Sequence, residues 1–303
     1  MRILLIGGNG FIGSPLMSEL RCLGHTVAVF HRSADGAAAT SKVVRIQGDR
    51  NRLSDYLIPL SRFSPDVIID LILSSGEQAL QLISVAHELT RRVVVVSSMD
   101  VYRAWGVMHQ AEPGPVEPLP ITEDSPLRSV RTLYTRETLK MMESIFTWVD
   151  ERYDKIAVEE AILNDPEVQA SILRLPMVYG PGDLLHRFFP LLKRITDERP
   201  YVLLPDNLAA WRAPRGTWKT SLTLSPSRQH RTELRGELTT FARSQACRNS
   251  IGKEGSHNRR AGPEDWSYCR KSGRLSICGK RAMQSSISSQ ARSGFALNWD
   301  TWK

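Results

Sequence analysis

Apolar positions in the first two-thirds of the chain follow two rhythms that take turns. Short runs rich in β-branched residues predict strands over residues 2–6, 26–30, 43–47, 66–71, 92–97, 169–173 and 201–204. Between them, apolar residues recur at helical spacing. One predicted helix covers 11–23, with Ile12, Leu16, Leu20 and Leu23 on one stripe; another covers 76–90, with Leu80, Ile83 and Leu89 turned toward a sheet. Strands alternating with helices specify an α/β fold with a doubly wound parallel sheet, because parallel neighbours need a crossover and the crossover is a helix.

Near residue 215 this pattern stops. Residues 215–303 are rich in Ser and Arg and hold four of the seven Trp and three of the four Cys, with no periodic apolar run long enough for a strand or a core helix. Three accounts fit: a disordered basic tail, a small, poorly patterned domain, or a reading-frame shift near residue 215. The Trp and Cys content favours the last. The expected division is therefore a nucleotide-binding domain over 1–205, with an insertion at about 103–148, and a basic C-terminal region over 206–303.

Charge follows the same division. The chain carries +8 in total; residues 215–303 contribute 17 Lys and Arg against 6 Asp and Glu, which leaves −3 for residues 1–214. The basic character thus belongs to the C-terminal segment, and nucleic acid is not the expected partner of the folded part. Cys22, Cys247, Cys269 and Cys278 have neither metal-type spacing nor a disulfide-framework pattern, so they are read as incidental and no metal site is expected. No run of eighteen apolar residues occurs and the N-terminal apolar run is too short for a signal peptide, so the expected setting is cytoplasmic, without a membrane.

The first strand runs into Gly7, Gly8, Asn9, Gly10, Phe11, Ile12 and Gly13, and the first helix opens there. Glycine suits three demands at such a junction: a sharp turn, unobstructed backbone amides facing a diphosphate, and close packing of helix on strand. The helix N-terminus adds partial positive charge. A dinucleotide is therefore the expected ligand. The second strand ends in His31 and Arg32 with no carboxylate to hold a ribose 2′-hydroxyl, whereas Arg32 suits a 2′-phosphate. NADP is favoured over NAD.

The Gly7-x-x-Gly10-x-x-Gly13 spacing, with Phe11 and Ile12 before the last glycine, resembles the extended and atypical short-chain dehydrogenases/reductases. The closest resemblance is to their NAD-dependent epimerase/dehydratase branch, with a Rossmann-type domain and a substrate lobe that is small and incomplete here. Asp49 and Arg50 are similar to the family's acidic site beside the adenine. The segment from Val93 to Tyr102 resembles its fifth strand and aligns the catalytic serine with Ser98. The Arg174 to Asp183 segment resembles its R-x-x-x-V-Y-G-P-G signature. The resemblance also places Leu71, Ser97, Pro176 and Val178 beside the cofactor.

In that family a Tyr exchanges a proton with substrate, a Lys four residues on lowers its pKa, and a Ser orients the reacting oxygen. Lys155 matches the Lys, with Glu159 after it, and would bind the nicotinamide ribose. The position four before it is Glu151, and Tyr153 lies two before it, about 200° away on a regular helix. Tyr153 shares the face of Lys155 only if the helix begins late. Either Glu151 or Tyr153 substitutes as acid/base, or the site binds nucleotide without turnover.

The resemblance implies an epimerase/dehydratase-like oxidoreductase acting on a sugar-nucleotide-like or other small hydroxyl or carbonyl substrate through transient hydride transfer, and a homodimer formed through the Lys155 helix. Two alternatives stand beside it. One is an RNA-binding relative without redox turnover, as in chloroplast members that lack the usual Tyr, although the tail has no regularly interleaved aromatics. The other is an inactive, truncated member.

Overall fold

The computed structural model describes residues 1–32, 43–118, 121–146, 148–199, 201, 215–217, 267–271 and 274–278. They divide between two compact units, and the first holds Met1–Leu184 together with Arg215–Thr217. Within it lie β1 (Arg2–Ile6), α1 (Gly13–Cys22), β2 (Thr26–His31), β3 (Val44–Gln47), α2 (Leu57–Phe63), β4 (Val67–Asp70), α3 (Gly76–Leu89) and β5 (Arg92–Ser98). After these come α4 (Arg103–Met108), α5 (Arg136–Ile145), α6 (Lys155–Asn164), β6 (Gln169–Leu175) and β7 (Met177–Tyr179). Short 3-10 segments follow β3 (Arg50–Tyr56) and β5 (Met99–Val101).

Six strands form one sheet in the order β3-β2-β1-β4-β5-β6, parallel throughout. The chain builds outward from β1 to β3, then returns to β4 on the other side of β1. That reversal opens a crevice beyond the carboxyl ends of β1 and β4. The two-residue period of a strand sends alternate side chains to opposite faces. Leu4 and Ile6 join Phe30, Ile68, Val93 and Val95 on one face, packed by Leu82 of α3 and by Val158 and Ile162 of α6. Ile3 and Leu5 join Val27, Val29, Ile69 and Val94 on the other, packed by Leu16 and Leu20 of α1. With both faces covered, each large apolar side chain removed from water contributes about 1.5–3 kcal/mol.

Six strands appear where the sequence pattern places them, and the two helices begin at Gly13 and Gly76. Leu80 is a correction: it is exposed, because Ala79, Leu82, Ile83, Val85 and Ala86 supply the buried stripe of α3. Tyr201 lies outside any strand, and residues 202–204 fall outside the described residues. The C-terminal region also departs from expectation. Strand β8 (Arg215–Thr217) pairs parallel with β7, and the second unit holds an antiparallel pair, β9 (Ser267–Lys271) with β10 (Arg274–Cys278), together with α7 (Phe189–Thr196). β8 has three residues, and Ser267, Arg270 and Lys271 in β9 and Arg274 and Ser276 in β10 interrupt the apolar residues, so none writes a continuous apolar run. Cys22, read as incidental, is disulfide-bonded. Among the described residues no helix is long and apolar enough to cross a membrane.

Candidate functional site

The glycine loop sits at the mouth of the crevice, and its glycines differ in what demands them. Gly7 has φ +85°, and a Cβ there would lie 2.6 Å from Ile72 Cγ2, just past β4. A Cβ on Gly13 would lie 2.3 Å from the Gly7 carbonyl oxygen and 2.6 Å from Gly8 Cα, so glycine lets α1 rest on the turn itself. Gly10 is exposed, has no positive φ, and a Cβ would meet only the Gly7 oxygen at 3.4 Å. The interior therefore demands Gly7 and Gly13, while at Gly10 a side chain would project into the approach to the helix end.

Gly10 N–H donates to the Gly7 oxygen at 3.2 Å, and Ser14 N–H to the Gly10 oxygen at 3.0 Å. No side chain caps α1 and its first turn holds no acidic residue. Ser75, Thr135 and Asp154 cap α3, α5 and α6, whereas α2, α4 and α7 share the open end of α1 but not its glycine loop. An open, uncapped helix end beside a bare glycine backbone is a cradle for an anion, and it fits the diphosphate of a dinucleotide.

Apolar residues meet beside this loop. Phe11, Ile12 and Leu71 pack with Val96, Leu173, Leu175 and Val178, and Gly182 of the Gly-Pro-Gly turn (φ +88°) approaches Phe11. Pro176 is half-buried between β6 and β7, and Asn9 is half-buried in the loop. At the far end of the crevice His31 closes β2, its pKa held below the usual value by burial and by the charge of Arg45. Arg32 follows on the surface, and its carbonyl accepts from Gln47 Nε2 at 3.2 Å. Asp49 accepts from Asn51 N–H at 3.0 Å and so starts the 3-10 segment.

The remaining expected residues gather around a group the sequence reading did not single out, Asp100, which is 3% exposed. Helix α6 begins at Lys155, with Asp154 accepting from Ile156 N–H at 3.0 Å. Tyr153 therefore precedes the helix and escapes the 200° separation: its hydroxyl donates to Asp100 Oδ2 at 2.8 Å, and Lys155 Nζ lies 5.9 Å from its ring centroid. Ser98 Oγ accepts from Asp100 N–H at 3.2 Å. Tyr153 and Lys155 thus meet beside the Asp100 carboxyl group, and Ser98 holds the Asp100 backbone amide. Glu151 is exposed in the turn before α6 and stands apart from them.

A second tyrosine joins from the insertion. Tyr134 OH donates to the same Asp100 Oδ2 at 3.2 Å, and its ring meets those of Tyr153 and His109 edge-on. Arg128 donates from Nε to the Asp100 carbonyl at 2.9 Å. Burial raises the Asp100 pKa above the usual carboxylate range, against the hydroxyl of Tyr153 and the charges of Arg128 and Lys155. Burial and the Asp100 carboxylate together push both tyrosines well above their usual value.

Lys155 is 4% exposed and donates to the Leu73 carbonyl, and to the Val96 carbonyl at 3.1 Å. Burial lowers its pKa to about 8, although Asp100, Asp70 and Glu159 favour its charge.

Two other expected residues are occupied by the protein itself. Ser97 Oγ donates to Glu159 Oε1 at 2.5 Å, and Glu159 also takes a bidentate Arg174 guanidinium, whose Nη2 is 2.7 Å from Oε2. Arg174 in turn lies 5.0 Å over the Tyr102 ring, so this network ties α6 to β5 and β6. Arg50 is turned inward, with Nη2 at 2.8 Å from Asp70 Oδ2 and 2.9 Å from the Gln78 carbonyl. Neither Ser97 nor Arg50 presents its side chain to the crevice in this arrangement.

Comparison with known proteins gives the family. The sequence profile of the NAD dependent epimerase/dehydratase family matches residues 3–213. A UDP-glucose 4-epimerase of Lactobacillus helveticus is 30% identical over 162 residues, which are 50% of this chain and 47% of that protein. The chain thus spans about half the length of that relative.

Among solved structures, a Thermotoga maritima UDP-glucose 4-epimerase with UDP-glucose superposes with a TM-score of 0.51 at 14% identity, over 72% of this chain and 70% of that one. The Bordetella bronchiseptica enzyme WbmG, in complex with NAD, gives a TM-score of 0.48 at 18% identity over 72% of each chain. Since the profile extends from β1 past the Gly-Pro-Gly turn, through every strand of the parallel sheet, this chain belongs to the NAD dependent epimerase/dehydratase family.

Proposed function

We propose that the first unit binds a nicotinamide dinucleotide in the crevice, and that Tyr153, Lys155 and Ser98 serve as its reaction groups toward a nucleotide-sugar-like or other small hydroxyl or carbonyl substrate. The observation that carries this reading is the contrast among the glycines: packing accounts for Gly7 and Gly13 but leaves Gly10 to a ligand. Bound NAD(P) would supply a hydride acceptor and donor.

The chain's own residues do the rest. Amides of residues 11–13 would hold the diphosphate at the uncapped end of α1. Phe11, Ile12, Leu71 and Val178 line the apolar side. Asp49 would face the adenine and Arg32 would meet a 2′-phosphate, which would favour NADP over NAD. Ser98 orients the reacting oxygen, Tyr153 holds the proton, and the Lys155 charge beside the Tyr153 ring stabilises its phenolate. Glu159 and Arg174 keep α6 and hence Lys155 in place.

The test titrates the full chain with NADPH and with NADH, read by quenching of protein fluorescence, followed by turnover with UDP-glucose as the probe substrate. Saturable quenching, tighter for NADPH, is expected. Absence of quenching by either coenzyme would refute nucleotide binding. Salt-sensitive retention of RNA in its place would establish the nucleic-acid alternative.

A further inference from the structure

Two tyrosine hydroxyls on one buried carboxyl oxygen are more than the orientation of Tyr153 requires. We propose that Asp100 and Tyr134 form a proton relay that connects the Tyr153 hydroxyl to the surface of the insertion. This rests on Tyr153 being the acid/base group of the dinucleotide site.

The path consists of two hydrogen bonds and ends on Tyr134, which is itself only half-buried. Tyr153 OH lies 2.8 Å and Tyr134 OH 3.2 Å from the same Oδ2, and Tyr134 packs edge-on against the exposed His109, with ring centroids 5.6 Å apart. The other carboxyl oxygen, Oδ1, is buried with no hydrogen-bond partner. Both hydroxyls thus share the one oxygen through which a proton can pass between them. The groups facing Asp100 are the two tyrosines, Lys155, Arg128 and His109. The charges of Lys155 and Arg128 stabilise the carboxylate between transfers.

When Tyr153 gives its proton to a substrate oxygen, its O–H bond breaks and a new O–H bond forms on the substrate. Asp100 Oδ2 takes the Tyr134 proton and passes it to the phenolate oxygen, while the Tyr134 oxygen takes up one proton from solvent, so one proton enters from bulk for each one delivered to substrate. When substrate gives up a proton the sequence runs backward. Each step moves a proton alone and leaves the electron count unchanged. Asp100 and Tyr134 are accordingly positioning residues that act through Tyr153.

The relay is testable without a substrate. In protein carrying 13Cζ-labelled tyrosine, in equal parts H2O and D2O, a hydroxyl that exchanges slowly gives two lines and one that exchanges quickly gives a single averaged line. Tyr153→Phe identifies the resonance. The relay requires one averaged Tyr153 line in the wild type, split into two in Tyr134→Phe, where the ring and its packing remain. Asp100→Asn must split it as well, which supplies a second variant should Tyr134→Phe fail to fold. Two lines in the wild type, or one line kept in a folded variant, would overturn the relay. NADPH quenching is measured on the same samples, so loss of nucleotide binding with the expected tyrosine lines would refute the proposed function and leave the proton path standing.

Discussion

Replacing Gly10 and Gly13 separately by alanine should divide stability from binding. In Gly13→Ala the new methyl lands 2.3 Å from the Gly7 oxygen and 2.6 Å from Gly8 Cα. Both are backbone atoms, so no rotamer change relieves the clash and α1 must move off the sheet, at a cost of about 1–3 kcal/mol or more. In Gly10→Ala the methyl meets one atom at 3.4 Å on a backbone without positive φ. Stability should change by less than about 1 kcal/mol, in either direction, since alanine also restricts the unfolded chain.

Binding should follow a different order. The Gly10 methyl enters open space beside the loop, where the proposed diphosphate would lie, and NADPH affinity should fall at least about tenfold, or ~1.4 kcal/mol. Urea unfolding gives the stability difference and fluorescence titration gives the Kd. A stable Gly10→Ala protein that binds NADPH as tightly as the wild type would refute the assignment of this loop to the diphosphate.

Other expectations follow from charges. Arg32→Glu should weaken NADPH by about tenfold relative to NADH in the same titration, because a 2′-phosphate would face a carboxylate. Asp70→Ala should cost about 3–5 kcal/mol in urea unfolding, because it leaves the inward Arg50 guanidinium, whose Nε and Nη1 already lack partners, without its counter-charge. Lys155→Met should reveal a pH dependence. The folded pKa of about 8 lies below the ordinary 10.5, so between these values the unfolded chain binds more protons and wild-type stability rises with pH. The wild type should therefore gain up to about 3 kcal/mol on the variant as pH rises through that window, and an unchanged difference between pH 8 and pH 10 would contradict the burial of the ammonium.

The sheet was legible because its strands are buried on both faces and write near-continuous apolar runs, as Val93–Val96 does. The glycine loop was legible because its steric demands are local to seven residues. Tyr153 was half legible: the helical wheel separates it from Lys155, and only the start of α6 decides otherwise. Asp154, a side-chain cap directly before Lys155, was the available sign of that late start. Asp100 and Tyr134 left no such trace, since their contact spans 34 residues and depends on the path of the insertion. Ser97 and Arg50 stand in recognisable motifs, yet their side chains turn to Glu159 and Asp70, a choice set by packing rather than by spacing. Leu80 shows the limit of a stripe drawn from three residues, for the neighbours of α3 select a face about 100° away.

The most direct measurement is the amide spectrum of 15N-labelled protein during titration with NADPH. Saturable shifts centred on Gly10, Phe11, Ile12 and Gly13, carried to Arg32 by NADPH and not by NADH, are expected. Saturation with these amides unmoved, or with shifts confined to another surface, would contradict a diphosphate held at the start of α1.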